Sequence, residues 1–392
     1  MKKLMILGAS YSQLPLYEAA RKLGAATVAA STPGDWPGFA VADESVYADI
    51  TNPEAILKAA QEKGIDGIAT CCLDAGVRAL GYTCEKMGLI GPSARAADIS
   101  NDKFKMKEAF MAGGVQCARH ICIHSLEEAL EKLEFPVVLK AVDLMGSRGI
   151  FRCNTREETF FYYNKTMEAT RKDYCLVEEF IEGQVLGCEA MIRDGKLLYC
   201  LPNNIEAFQS YVPTPIGHSV PYRKQEELGA EVRHQVELAI KAVGLDNCPV
   251  NCDLIEKDGK IYVIEITGRA GGTCLPEMVS IYYGINYYEA IVRLALGMDV
   301  EEMFRGKTSG VANLSRTLLS EKDGVVKAIH NENEPAEDIV DLSFNIAPGE
   351  EVHHYTNGRD RLGQVILQGE SLESCEKRLQ EILSKINIEF TV

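Results

Sequence analysis

The chain has 392 residues, 46% of them hydrophobic and 25% charged, with a formal net charge of −16. That is enough for two or three cores, and too acidic to suggest a nucleic-acid partner, since phosphate contacts need a basic surface. The 13 cysteines form no even disulfide framework, and Cys248 and Cys252 lack a second pair at zinc-finger spacing, so reduced thiols in a cytoplasmic protein are expected. No apolar run reaches the length of a membrane span.

The opening MKKLMILGAS carries too short an apolar run for a signal peptide, and no cleavage-like segment follows it. It reads as a buried strand, Lys3 to Leu7, ending at Gly8. A helical pattern from about Leu14 to Leu23 stops at Gly24, and a second strand follows at Ala26 to Ala30. The pattern continues with a helix near Pro53 to Lys63, an apolar run from Gly67 to Cys71, a helix from about Ala75 to Met87, and a short strand at Leu89 and Ile90. These elements predict a small doubly wound α/β domain over residues 1–100. The turn after the first strand has Ser10, Tyr11 and Ser12 where a dinucleotide fingerprint needs glycines, so NAD is not expected there.

From residue 101 the pattern changes. Asn101 and Asp102 form an N-cap signal for a helix running to about Ala112, which Gly113 and Gly114 end. Strand-like segments at Pro136–Ala141 and Tyr174–Ile181 enclose a glycine-containing loop. Asp194-Gly195 and Asp258-Gly259 are hairpin turns, and a long helix from about Lys224 to Val243 lies between them. After Asp299 come short strands and turns, closed by a helix from about Leu372 to Lys385. The predicted fold class is therefore α/β and α+β, divided into residues 1–100, 101–300 (with a mobile lid subdomain at about 118–182) and a C-terminal α+β domain, 301–392.

Four motifs carry chemistry. Lys103, in NDKFKMK, stands at a helix start, where phosphate is attracted. Lys140 ends the apolar strand Val137-Val138-Leu139, and a loop with Gly146, Ser147, Arg148 and Gly149 follows, able to close over phosphates. In YCLVEEFIEGQ a strand leads through Glu178, Glu179, Phe180 and Ile181 to a turn, offering a donor, an acceptor and apolar faces to a flat ring. In NCDLIEKDGKIYVIEITGRAGG, Asp253 and Glu265 lie on two strands joined by one turn, which brings both carboxylates face to face as Mg²⁺ requires. Each is flanked by apolar residues, an expensive setting for an unpaired charge. Arg269 follows, placed for a carboxylate or a transferring phosphoryl group.

In this order the four motifs resemble the ATP-grasp superfamily over roughly the first 300 residues, and the final section, with DRLGQVILQG, is similar to the C-terminal domains of carboxylate–amine ligases. The resemblance implies that Lys103, Lys140 and Gly146 to Gly149 hold ATP phosphates and that the adenine lies against Glu178, Phe180 and the backbone of Glu179 and Ile181. It implies that Asp253 and Glu265 bind Mg²⁺ (with Mn²⁺ as an alternative ion), while Lys140 and Arg269 serve catalysis. The activity implied is ligation of a small-molecule carboxylate to an amine through an acyl-phosphate, with amino-acid-like substrates first. A purine-pathway ligase of the glycinamide ribonucleotide synthetase type and a non-catalytic ATP-binding module are the alternatives, and a homodimer is compatible with each.

The chain departs from the family pattern at two positions. Val185 stands where a ribose-binding Glu is usual, with Glu189 further along the same strand. Thr267 replaces a metal-binding Asn and shares a strand face with Glu265, which leads us to expect it near the metals. His218 is expected at the substrate cleft or in a surface loop, and Trp36, in TPGDWPGF, in loop packing or as a contact near the cleft.

Overall fold

The computed structural model describes residues 1–126, 134–144, 146, 148–209, 213–306, 310–356 and 360–391. Its N-terminal sheet is parallel throughout, with strands in the order Glu44–Tyr47, Ala26–Ser31, Lys3–Leu7 and Gly67–Ala69. Lys3–Leu7 is central, which is why the first apolar run of the chain is almost wholly buried. The segment Leu89–Ile90 is not a strand. Gly88 takes a left-handed conformation (φ +66°), and the Leu89 amide turns back to the Cys84 carbonyl, capping the preceding helix instead of entering a ladder. The strand Glu44–Tyr47 and the helix Ala94–Ser100 carried too little periodicity to be read from sequence.

An antiparallel sheet of four strands follows, in the order His120–Ile123, Cys175–Glu179, Val137–Lys140 and Ile150–Cys153, covered by the helix Arg156–Ala169. The largest sheet has eight strands: Lys260–Thr267, Cys248–Lys257, Gln184–Arg193, Lys196–Gln209, Pro213–Val220, Ala312–Leu318, Gly363–Gly369 and Ile339–Phe344. It runs on past residue 300, because Pro213–Val220 pairs directly with Ala312–Leu318. Both Asp-Gly turns form as expected, with φ of +49° and +72° at Asp194 and Gly195, and +51° and +74° at Asp258 and Gly259. A small sheet of Glu351–Val352, Gly324–Asn331 and Ile386–Thr391 completes the structure.

Alternation along the strands sets the two faces of the large sheet. Val250, Cys252 and Leu254 pack against the helix Gln225–Val243 in one core. Asn251, Asp253 and Ile255 therefore point to the opposite face. On that second face Met191, Tyr199, Leu201 and Val220 meet the helices Leu275–Tyr283 and Tyr287–Ala295, which in turn carry the helix Leu14–Lys22 of the N-terminal unit. One core thus joins the N-terminal unit to the sheet. The approach is tight at Gly67, where a Cβ would lie 2.4 Å from the Ala295 carbonyl oxygen.

Ile291 is 2% exposed within this joint. Ile291→Ala should lower the unfolding free energy by about 2–5 kcal/mol, measured by urea denaturation. A loss below about 0.5 kcal/mol would show that the joint contributes little to stability.

Candidate active site

Most of the sequence-predicted residues converge on one cleft between the four-stranded sheet and the cleft face of the large sheet. Lys103, Lys140, Gly146, Glu178, Glu179, Phe180, Ile181, Asp253 and Glu265 all line it. Arg148 and Gly149 follow Gly146, with Gly149 left-handed (φ +66°) and its carbonyl accepting from the Ala141 amide at 2.9 Å. Ser147 lies outside the described residues. Arg269 stands apart from the cleft, at the junction with the N-terminal unit.

The lysines of the cleft are each paired with a carboxylate. Asp102 caps the helix Lys103–Gly113 by accepting from the amides of Phe104 and Lys105, so Lys103 sits in its first turn. Lys103 Nζ donates to the Leu144 carbonyl at 2.8 Å and pairs with Glu265 at 3.0 Å. Burial works against its charge, but Glu265 more than offsets this and its pKa is raised. Lys140 is not a solvated strand-end lysine. It is 7% exposed, and Nζ lies 2.7 Å from Glu178 Oε2.

Lys107, unmarked in the sequence reading, is 1% exposed one helical turn beyond Lys103, 3.6 Å from Glu178 Oε1 and donating to the Val263 carbonyl at 3.1 Å. Its i,i+4 spacing from Lys103 was the available signal. Burial alone would raise the Glu178 carboxyl, yet Lys107 and Lys140 together hold it below its ordinary range.

Two amides next to the expected ring contacts are already in use. The Glu179 amide is already bonded to the Arg119 carbonyl at 2.9 Å and the Phe180 amide to the Pro136 carbonyl at 3.0 Å, so neither donor is open to a ligand. The Glu179 carboxylate accepts from Arg119 Nε at 2.8 Å. Arg152 lies over the Phe180 ring, 4.0 Å from its centroid.

Asp253 and Glu265 are direct partners across the antiparallel hairpin. Burial, reinforced by the Glu265 charge, pushes the Asp253 carboxyl up to about 7. In the next row Thr267 pairs with Asn251, and Asn251 with Glu189. Thr267 lines one small pocket together with Asp74, Lys103 and Glu265, between the carboxylate pair and the N-terminal junction. Asp74 receives Arg269, whose Nε and Nη2 both lie 2.6 Å from Oδ1. Arg269 Nη1 donates to Asn251 Oδ1 at 3.2 Å.

Glu189 is fully buried, accepting from Asn251 Nδ2 at 2.8 Å and from the Gly271 amide at 3.1 Å. Burial raises its pKa to about 8. It is committed here and does not stand in beside Val185, which lines the cleft. His218 is neither in a surface loop nor on the cleft wall. It is 6% exposed in a sheet strand, its Nδ1 donates to Asn203 Oδ1 at 2.9 Å, and burial lowers its pKa to about 4. Asp74 and Asn251 were missed as well. Asn251 could have been found two residues before Asp253 on the same strand face, but nothing local links Asp74 to Arg269.

The Asp253 shift sets a pH dependence. Its folded carboxyl keeps a proton to about pH 7, whereas the unfolded one releases it near 3.8. Stability from this group is therefore present below pH 4 and lost as pH rises to 7. At pH 8, nucleotide-free Asp253→Asn should be about 1–3 kcal/mol more stable than the parent, and the difference should vanish near pH 4. Urea titrations at both pH values measure this; a parent as stable as the variant at pH 8 would contradict it.

The chain resembles known proteins in both sequence and fold. Residues 100–273 match the ATP-grasp domain, and residues 316–391 match the L-amino acid ligase C-terminal domain 2. The structure is similar to that of a phosphoribosylglycinamide synthetase from Anaerococcus prevotii, with 40% identity, all of both chains covered and a TM-score of 0.85. It shares its fold with an L-amino acid ligase from Bacillus licheniformis, at 20% identity, covering 100% of this chain and 99% of that one, with a TM-score of 0.87. In sequence it is 25% identical to the alanine–anticapsin ligase of Bacillus subtilis (strain 168) over 276 residues, which is 63% of this chain and 58% of that protein. The described residues contain no helix long and apolar enough to cross a membrane. The chain belongs to the ATP-grasp carboxylate–amine ligases.

Proposed function

We propose that this ligase joins two amino acids, activating the carboxylate of one with ATP and releasing ADP and phosphate in the cytoplasm. The observation that supports this substrate class is the charge pattern around Arg269. A guanidinium that can receive a carboxylate stands beside Asp74 and Asn251, which can receive an ammonium group. A zwitterion suits such a mixed site, where opposite charges stand side by side.

In this reading Lys103, Lys140 and the segment Gly146 to Gly149 neutralise the ATP phosphates, and the base lies by Phe180 and Ile181. Asp253 and Glu265 would hold Mg²⁺. The pair fits a divalent cation because burial and mutual repulsion already raise Asp253, and a cation would relieve both. Bound there, the ion would shield the phosphate oxygens. A carboxylate oxygen of the first amino acid attacks the γ-phosphorus, the bond to the bridging oxygen breaks, and ADP leaves. The amine nitrogen of the second then attacks the acyl carbon, phosphate departs, and the nitrogen loses a proton. Arg269 would steady the acyl-phosphate during this step, and the protein's contribution is placement and charge.

The second reading, an acceptor built on phosphoribosylamine, is favoured by the 40% identity to the protein from Anaerococcus prevotii. ADP release over pairs of L-amino acids, compared with glycine plus 5-phosphoribosylamine, separates the two. Turnover with the second set alone would overturn the amino-acid reading. Within the site, Glu265→Gln should lower turnover at least ~10²-fold. Thr267→Val, which leaves both carboxylates in place, should weaken the Mg²⁺ dependence only modestly, as read by titrating activity against the ion. An Mg²⁺ requirement shifted tenfold in Thr267→Val would place that residue on the metal.

A further inference from the structure

The parallel sheet of the N-terminal unit ends in a group of exposed aromatic rings that the ATP cleft does not use. Tyr11, after the first strand, is 72% exposed, and Trp36, after the second, is 41% exposed. An exposed aromatic taken singly needs no explanation, but these two stand on loops that touch. The Gly38 amide donates to the Ala9 carbonyl at 2.7 Å, and a Cβ on Gly38 would lie 2.7 Å from Ala9 Cα. Tyr11 is two residues past that contact and Trp36 two before it. Trp36 Nε1 donates to the Thr32 carbonyl at 3.1 Å, so its polar atom is satisfied within its own loop and the rest of the indole is apolar surface.

This edge adjoins Arg269. The Ser12 carbonyl accepts from Cys71 Sγ at 3.4 Å, and the Cys71 carbonyl accepts from Gln13 Nε2 at 2.8 Å. The Cys72 amide then donates to the Ala270 carbonyl at 3.0 Å, and Asp74 pairs with Arg269. The loops after the first, second and fourth parallel strands therefore pack side by side, from the Ala9–Gly38 contact to the Asp74–Arg269 pair. In open α/β sheets, ligands sit at the carboxyl ends of the strands, where the strand order reverses. Here that point lies beside Lys3–Leu7, with Gly67–Ala69 on one side and Ala26–Ser31 on the other.

We propose that this edge is a specificity pocket for the apolar side chain of the second, amine-supplying amino acid, with Trp36 and Tyr11 as its walls. The ligand's role as a substrate rests on the amino-acid reading above; the pocket itself rests on the placement of the rings. Aliphatic and aromatic side chains gain by covering these rings, and glycine has nothing to place there.

Trp36 is the chain's single tryptophan, so its fluorescence reports on this edge without turnover. Acrylamide quenching of the full-length protein is measured with L-leucine, L-phenylalanine and glycine, each with and without Mg-ATP, and ADP release is followed in parallel. L-Leucine and L-phenylalanine should protect Trp36 at least about twofold, and glycine should not. Tyr11→Ala, a change at a largely exposed side chain, should weaken that protection roughly tenfold in apparent Kd. Equal quenching in every arm overturns the pocket, whatever the turnover, and protection unchanged in Tyr11→Ala removes Tyr11 from its walls. Selective protection with no ADP release from any amino acid overturns the amino-acid reading and leaves the pocket standing.

Discussion

A two-residue turn at Asp258-Gly259 starts the hairpin at the sheet edge, and a β-bulge that leaves Ile264 out of the register shifts the pairing by one residue and places Asp253 opposite Glu265. Two carboxylates so held repel one another, and burial sharpens the repulsion. Lys103, delivered by the start of the helix Lys103–Gly113, pairs with Glu265 and leaves Asp253 with its raised pKa. The rest of the cleft is organised around this partly compensated acidic pair. Strand alternation sends the neighbouring Cys252 and Leu254 into the opposite core, and that packing keeps the carboxylates aimed at the cleft.

The same economy of paired charge recurs on both sides of the hairpin. Glu178 lies between Lys140 and Lys107, and Arg269 lies on Asp74. Removing one partner from a buried pair costs about 3–5 kcal/mol, because a charge is left without compensation. Each pair also joins separate parts of the chain. Glu178 ties the four-stranded sheet to the helix Lys103–Gly113, and Arg269 ties the end of the large sheet to the N-terminal unit.

The large sheet also carries polar groups into its interior. His218 and Asn203 share a hydrogen bond beneath the surface, and Ser315 Oγ accepts from the His218 amide at 3.3 Å while donating to the Thr273 carbonyl at 3.1 Å. The strand Ala312–Leu318 thereby braces the Gly271–Cys274 segment that follows Arg269. The last part of the chain supports the site through main-sheet pairing.

Much was legible in the sequence because it is local. Turn chemistry at Asp194-Gly195 and Asp258-Gly259, the Asp102 cap and the alternation around Asp253 depend on residues a few positions apart, although the one-residue bulge that brings Asp253 opposite Glu265 appears only in the folded hairpin. The cleft residues from Lys103 to Glu265 were found for this reason. What only the tertiary structure decided were the partners: Lys107 and Lys140 on Glu178, Glu189 on the Gly271 amide, and Arg269 on Asp74. These contacts join residues from 38 to 195 positions apart, and they follow from helix docking and sheet order rather than from any local pattern. A buried charge must find an opposite charge or a polar group, but the sequence names only the need. The packing of one element on another names the partner.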